Sequence, residues 1–183
     1  MNDLLMLASL LAGPQHGYAL KKQVGLISGK PEMHNNLVYP LLRRFVQQGW
    51  VSKRHAAGQR GQTRELYALT MKGKQELLRR LANFTEKEAI SENEFHLRVG
   101  LFTFLDAATR SQILAVREAW LAAREHRLAR LSAGLETGLW GGEVVSYQCG
   151  RIRAERKWIA ALNRKSRREP KTQAIALDTR RHP

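Results

Sequence analysis

Three polar residues recur at helical spacing in the stretch NNLVYPLLRRFVQQGW, residues 35–50. Asn36, Tyr39 and Arg43 fall on one side of a helix, with Asn35 beside them at its start. An asparagine amide pairs with the edge of adenine, an arginine pairs with guanine, and a tyrosine reaches a phosphate or a thymine methyl. This combination predicts a helix whose polar side contacts bases in the major groove of DNA.

The opposite side of the same helix is apolar. Val38, Leu41, Leu42 and Phe45 follow the three- and four-residue spacing of a buried helical face. The stretch therefore also fits an ordinary core helix with a solvated back. On that interpretation the Tyr39 ring packs in the core. Arg44, about 100° around the helix from Arg43, is an arginine in solvent.

Basic residues dominate the chain and support a polyanionic partner. The 183 residues hold 31 Lys and Arg against 16 Asp and Glu, a net charge of +15. From Lys21 to Arg80 there are 13 basic residues and three acidic ones. Such an excess indicates nucleic acid or an anionic surface. We expect contacts to the DNA backbone from Lys21, Lys22, Lys53 and Arg54, and from a loop that carries Arg60, Gln62, Thr63 and Arg64.

No catalytic or metal-binding motif accompanies this charge. The sequence contains no phosphate loop, no dinucleotide-binding glycine pattern, no HExxH and no GxSxG. The six histidines are not spaced like metal ligands. We expect neither an enzyme nor a cofactor. Cys149 is the only cysteine, which excludes an intrachain disulfide. The first apolar run is too short to span a bilayer, and Asp3 replaces the basic start of a signal peptide, so a cytoplasmic protein without membrane contact is predicted.

The elements that must position these residues occupy the first 84 positions. An apolar helix over residues 3–12 precedes HGYALKKQVGLI, a second helix with Tyr18 and Leu20 on its buried side. The third helix begins at Asn35 or Asn36 as its N-cap, carries Pro40 in its first turn and ends at Gly49. WVSKRHA and TRELYALT predict two strands, and Thr70 caps a fourth helix. This order predicts a winged helix-turn-helix domain over residues 1–84.

The second half has the pattern of an antiparallel helix hairpin over residues 85–165. Leu114, Leu121, Leu128 and Leu135 lie seven apart, the glycine-rich LETGLWGGE predicts the break, and a final helix follows. Such a hairpin buries its apolar sides by pairing with a second copy, which predicts a homodimer. The alternative is that both helices fold back on the first domain. Residues 166–183 are predicted to be a flexible basic tail. The fold class is therefore mainly α with a small β-hairpin.

Three tryptophans in the second half are candidates for an effector pocket. Trp120, Trp140 and Trp158 could line an apolar site for a small aromatic molecule, whereas tryptophan at such positions more commonly belongs to a core.

Three motifs in the first half resemble the PadR family of bacterial transcriptional regulators. They are His16-Gly17-Tyr18, the run from Tyr39-Pro40-Leu41-Leu42 to Gly49, and the segment Tyr67-Ala68-Leu69-Thr70-Met71-Lys72-Gly73. The resemblance covers residues 3–84. It implies a homodimeric winged-helix repressor of an inverted-repeat operator, with dimerisation by the C-terminal helices and, in some members, release from DNA by an aromatic or phenolic compound. Ligand-binding residues cannot be transferred, because only the helical character of the second half matches.

Two other functions remain open at this point. A winged helix can serve as a protein–protein adaptor without DNA, in which case binding would depend little on salt. A regulator of this class can also activate transcription without a small-molecule ligand.

Overall fold

The computed structural model describes residues 2–28, 35–57, 63–134 and 139–168. These form two compact units that divide between Asn83 and Phe84. Arg60, Gln62, Leu135 and positions 169–183 lie outside the described residues, as do the side chains of Asn35, Asn36 and Thr63.

The first unit contains four helices and a small sheet. Its helices are α1 (Asn2–Ser9), α2 (Gly17–Ser28), α3 (Asn35–Gln47) and α4 (Met71–Ala82), and a 3-10 turn follows α1 at Leu10–Ala12. Its strands are β1 (Gln15–His16), β2 (Val51–Ala57) and β3 (Thr63–Leu69), in the order β1-β3-β2 with both pairs antiparallel. This is the predicted winged-helix arrangement.

The sheet has three strands rather than the predicted two. Gln15 pairs with Tyr67, and His16 pairs with Leu66, so His16 lies in a short strand and not in a turn. A two-residue strand is too short to show an alternating pattern, which explains why the sequence did not predict it. Strand β3 begins at Thr63, as the segment TRELYALT predicted, so Thr63 and Arg64 lie in this strand and not in the loop to which their contacts were assigned. The ladder between β2 and β3 accounts for this, because it continues out to the pair Ala57 and Thr63.

Buried side chains of all four helices form the core of the first unit. Val38, Leu42 and Phe45 of α3 are buried as predicted, whereas Leu41, which was predicted to be buried with them, is half-buried. Tyr18 was predicted to lie on the buried side of α2, and this is wrong, because the side chain is exposed. Tyr18 belongs to the first turn of α2, where it faces a cleft instead of the core.

Helix α3 ends as predicted but contains its proline deeper than expected. Gly49 has φ +71°, the Trp50 N–H donates to the Phe45 carbonyl at 2.9 Å, and the Gly49 N–H donates to the Val46 carbonyl at 3.0 Å. This pair of bonds is a Schellman C-terminus, which favours glycine. Pro40 is the sixth residue of α3, beyond the first turn. Its ring nitrogen therefore leaves the Asn36 carbonyl without the usual intrahelical donor.

A second junction fixes α4 to the end of α3. Thr70 caps α4 by accepting a hydrogen bond from the Gly73 N–H at 3.0 Å, and its hydroxyl lies 2.7 Å from the Gly49 carbonyl oxygen. A Cβ added at Gly73 would come within 2.0 Å of the Trp50 carbonyl oxygen. Glycine is therefore required at this position by close backbone packing.

The second unit contains α5 (Glu92–Gly100) and two long helices, α6 (Ala107–Gly134) and α7 (Leu139–Arg168). Arg117 bonds Glu155 at 2.7 Å, whereas Arg124, seven residues later, bonds Gln148, seven residues earlier, at 3.3 Å. The two helices therefore run antiparallel, as predicted. Leu114, Leu121, Ile152 and Ile159 are buried in this unit.

Helix α7 extends further in both directions than the sequence predicted. Gly141 and Gly142 lie within the helix, although their stretch was predicted to break the pattern. At the other end, Ser166 is buried and the helix continues to Arg168, so the first three residues of the predicted tail are helical. Lys165, Arg167 and Arg168 in the last turn favour such a helix terminus, because cations near the C-terminus offset the helix dipole.

Candidate nucleic-acid interface

The exposed side of α3 presents Tyr39 and Arg43. Tyr39 is 42% exposed and Arg43 is exposed, while Val38, Leu42 and Phe45 on the opposite side are fully buried. The helix thus combines an anchored apolar side with an accessible polar side. The alternative in which the Tyr39 ring is buried in the core does not hold.

Two neighbouring arginines of α3 have different surroundings. The Arg44 guanidinium contacts the Asp3 carboxylate of α1 at 2.6 Å, and the same carboxylate contacts Arg80 of α4 at 3.0 Å. Arg44 therefore helps to join three helices, and it is not simply a solvated arginine. Arg43 projects from the side of α3 that carries Tyr39.

The ring of Tyr39 lies against the beginning of α2. A Cβ added at Gly17 would be 3.0 Å from Tyr39 Cε1 and 3.5 Å from its hydroxyl oxygen. Gly17 therefore leaves the space that this ring occupies. The two motifs His16-Gly17-Tyr18 and Tyr39-Pro40 meet at this contact. Beside it lies a cleft of about 480 Å³, which the first motif and Tyr39 line together with Arg64 and Tyr67.

A carboxylate of the wing connects both strands of the hairpin. Glu65 of β3 accepts a hydrogen bond from the Tyr67 hydroxyl at 2.6 Å and forms an ion pair with Lys53 of β2. The bonds from Lys53 and Tyr67 lower the pKa of Glu65, which keeps this carboxylate ionised at neutral pH. Burial and the bond to Glu65 raise the pKa of Tyr67, which keeps its hydroxyl protonated.

The remaining basic residues of the first unit differ in their accessibility. Lys22, Arg54 and Arg64 are exposed, and Lys21 is half-buried. Strand alternation places Lys53 on the same side of the sheet as Tyr67, and Arg54 on the other side. Arg79 and Arg80 both bond Glu76, at 2.8 and 2.6 Å, which reduces their contribution to a basic surface.

The structure brings only some of the predicted contact residues together. Tyr39 and Arg64 line one cleft, with Glu65 among the other lining residues. Sequence reasoning did not identify Glu65 or the roles of Gly17 and Gly73. The signal for Glu65 was present, because it is the only acidic residue between positions 35 and 70.

In the second unit, two of the three candidate tryptophans share a cleft. Trp120 and Trp158 line a cleft of about 300 Å³ together with His96 and three arginines, whereas Trp140 does not line it. Trp158 packs edge-on against Phe95 and His96, with ring centroids 5.9 and 5.5 Å apart. Arg117 and Arg124 lie over the Trp120 ring at 4.8 and 5.2 Å. Glu92 and Glu155 also line the cleft, which therefore combines aromatic walls with both cationic and anionic groups.

Within the described ranges, no cluster of three His, Cys, Asp or Glu side chains could hold a metal ion. Among the helices of those same ranges, none is long and apolar enough to cross a membrane.

The helix order, the paired strands and the exposed side of α3 that carries Tyr39 and Arg43 define a winged-helix domain. Residues 5–79 match the model of the transcriptional regulator PadR-like family, so this part of the chain is similar to that family. The match confirms the resemblance carried by the three sequence motifs.

The chain is similar to several solved structures. Bacillus subtilis PadR in complex with operator DNA is 18% identical, with 90% of this chain and 98% of that chain covered and a TM-score of 0.45. The same protein in complex with p-coumaric acid is 18% identical, with 90% of this chain and 98% of that chain covered and a TM-score of 0.40. A Thermoplasma acidophilum chain is 28% identical over 42% of this chain and 73% of its own, with a TM-score of 0.40. No curated protein sequence matches the chain.

Proposed function

We propose that this PadR-like regulator is a homodimeric repressor that reads an inverted-repeat operator with α3 and contacts the DNA backbone with its wing. The observation that carries this proposal is the exposed Tyr39–Arg43 side of a helix whose other side is fully buried. In helix-turn-helix proteins the N-terminal part of the second motif helix contacts base edges. Asn35, Asn36, Tyr39 and Arg43 are the proposed base-contacting residues.

The proposed contacts to the DNA backbone come from the elements that precede and follow α3. Lys21 and Lys22 would supply them from α2, Lys53 and Arg54 from β2, and Arg60, Gln62 and Arg64 from the wing. Phosphate contacts of this kind position a protein without reading sequence, and they make its affinity fall steeply with salt.

An exposed apolar stripe on α7 supports the homodimer. Trp140, Val144 and Tyr147 are 79%, 61% and 64% exposed, and they lie four and three residues apart. Arg151, Ala154 and Trp158 continue the four-and-three spacing and are also exposed. A heptad stripe of large apolar side chains in water favours pairing with another helix. A twofold pair of chains would match the symmetry of an inverted repeat.

The cleft between Trp120 and Trp158 is the proposed effector site. Its aromatic walls suit a planar aromatic molecule. Arg117 and Arg151 pair with Glu155 and Glu92, so Arg124 is the lining arginine proposed to meet a negative charge on that molecule. Trp140 does not line this cleft and is not included in the site. Quenching of tryptophan fluorescence by a panel of aromatic carboxylates would test the site, and a Trp140→Phe variant would retain the response.

Selection of bound duplexes from a random pool tests the proposed function. The full chain is expected to enrich one inverted-repeat sequence, and its affinity for that sequence is expected to fall steeply as salt rises. A Tyr39→Ala/Arg43→Ala double variant should lose the enrichment. A protein–protein adaptor would enrich no sequence and would show no such salt dependence. An activator would enrich a sequence but raise transcription of a promoter placed beside it.

A further inference from the structure

Glu65 is an anomaly in the proposed DNA-contacting part of the chain. It is the only acidic residue between positions 35 and 70, a segment that contains six Lys and Arg residues. It lines the cleft that Tyr39 and Arg64 also line. A carboxylate at this position repels DNA phosphates, so its presence requires an explanation other than affinity.

The contacts of Glu65 connect it to one proposed phosphate contact. Its carboxylate pairs with the Lys53 ammonium across the hairpin and accepts the Tyr67 hydroxyl at 2.6 Å. The side chains of Lys53 and Glu65 are 37% and 40% exposed, so the pair is open to solvent and to a ligand. Tyr67 is buried and fixes the carboxylate in place. Lys53 can therefore exchange Glu65 for a phosphate, but it must give up an existing partner to do so.

We propose that Glu65 is a specificity-determining residue, which holds Lys53 away from phosphates until a correctly seated operator competes for it. This inference rests on the proposed function. When α3 is seated in its operator groove, a backbone phosphate held close to the wing replaces Glu65 as the partner of Lys53. On other DNA the duplex is not held at that distance, and the carboxylate both retains Lys53 and repels the phosphates. Glu65 thus weakens non-operator binding more than operator binding.

The affinities of charge-neutral variants for two duplexes test this inference. The probes are a labelled random-sequence duplex and the duplex selected by the wild-type chain, each titrated over a range of salt concentrations. Glu65→Gln preserves the acceptor for Tyr67 and removes the charge. It is expected to bind the random duplex about fivefold more tightly, the upper range for an exposed ion pair. The slope of log affinity against log salt should steepen by about 0.9, as expected for one added phosphate contact. Operator affinity should rise less.

Two matched variants separate this role from a general charge effect. Glu76→Gln removes one negative charge from α4 of the same unit, where Glu76 pairs with Arg79 and Arg80, and it should leave both slopes unchanged. In a Lys53→Gln background, Glu65→Gln should lose its added effect on the slope. Circular dichroism of each variant confirms that the fold is retained.

Three results would overturn the inference. If Glu65→Gln and Glu76→Gln changed duplex affinity and its salt slope equally, Glu65 would act only through the net charge of the protein. A loss of operator affinity alone would make Glu65 a reader of a base, such as cytosine N4. An unchanged effect in the Lys53→Gln background would exclude Lys53 as the mediator. Failure of the proposed function is distinct, because the wild-type chain itself would then bind the two duplexes equally.

Discussion

At the scale of single residues, position along α3 separates two arginines that sequence alone places side by side. Arg44 is bonded to Asp3, whereas Arg43 lies on the exposed side with Tyr39. Tyr39 in turn is held against Gly17, whose missing side chain leaves room for the ring. The orientation of a proposed DNA-contacting residue thus depends on a glycine at the start of another helix.

Gly17→Ala is expected to weaken operator binding by about 0.5–1.5 kcal/mol, because the new methyl at 3.0 Å from Tyr39 Cε1 displaces the ring from its preferred rotamer. Gel shifts on the selected duplex measure the change. In a Tyr39→Ala background the same substitution should have no effect on affinity. An equal loss in both backgrounds would refute the role of the contact.

The sequence predicted the burial and contacts of single side chains only in part. The spacing of Val38, Leu42 and Phe45 predicted which side of α3 is buried, because a helix has a fixed period. It could not predict the pairing of Lys53 with Glu65, since that depends on the register between β2 and β3. It also could not predict the contact between Gly17 and Tyr39, which are 22 positions apart in the chain.

At the scale of elements, the junction of α3, β2 and α4 determines how α3 is presented. The Schellman end at Gly49 turns the chain into Trp50, and the Thr70 N–H donates to the Trp50 carbonyl at 2.9 Å. The close approach of Gly73 to that carbonyl completes the junction. Three backbone segments are therefore joined at one carbonyl group.

Gly73→Ala is expected to reduce the free energy of unfolding by about 3 kcal/mol, because its Cβ would overlap the Trp50 carbonyl oxygen and force the backbone apart. Chemical denaturation monitored by circular dichroism measures the loss. Gly150→Ala is the matched control: nothing lies within 4 Å of its Cβ in α7, so it should stabilise the helix by about 0.5–1 kcal/mol. A Gly73→Ala variant as stable as wild type would contradict the account.

Helix and strand types were predictable where a cap or a period marked them. Thr70 and Gly49 have the residue types that begin and end helices, and both have these roles. Strand β1 has two residues and no period, and Pro40 and Gly141 lie inside helices despite their low propensity. Packing against neighbouring elements, which no local pattern records, overrides propensity at these positions.

At the scale of the whole molecule, α7 has two apolar sides, of which one is buried and the other is exposed. Ile152 and Ile159 are buried within the second unit, whereas Trp140, Val144 and Tyr147 remain exposed. The seven-residue spacing of Ile152 and Ile159 in the sequence indicates the first side. The second was not recognised, because Arg151 and Ala154 interrupt its apolar character and exposure is visible only once α6 and α7 are packed. The exposed stripe is the surface on which the proposed homodimer depends.

Val144→Asp should convert a dimer to a monomer at micromolar concentrations. An unpaired carboxylate buried at a helix interface costs on the order of 3 kcal/mol, which weakens association about 100-fold. Light scattering across a dilution series measures the mass. Ser146→Asp places the same charge at another exposed position of α7, off the stripe, and should remain dimeric. Identical masses for the two variants would argue against the stripe as the interface.

The central claim, that the exposed side of α3 reads DNA bases, is tested most directly by comparing Arg43→Ala with Arg44→Ala on the selected duplex and on versions with single base-pair changes. We expect Arg43→Ala to lose about 1–3 kcal/mol of binding free energy and to stop distinguishing the bases at one position of each half-site. Arg44→Ala, which removes the same charge from the next residue, should retain the wild-type base preference. Equal losses for the two variants, with base preference unchanged in both, would contradict the claim.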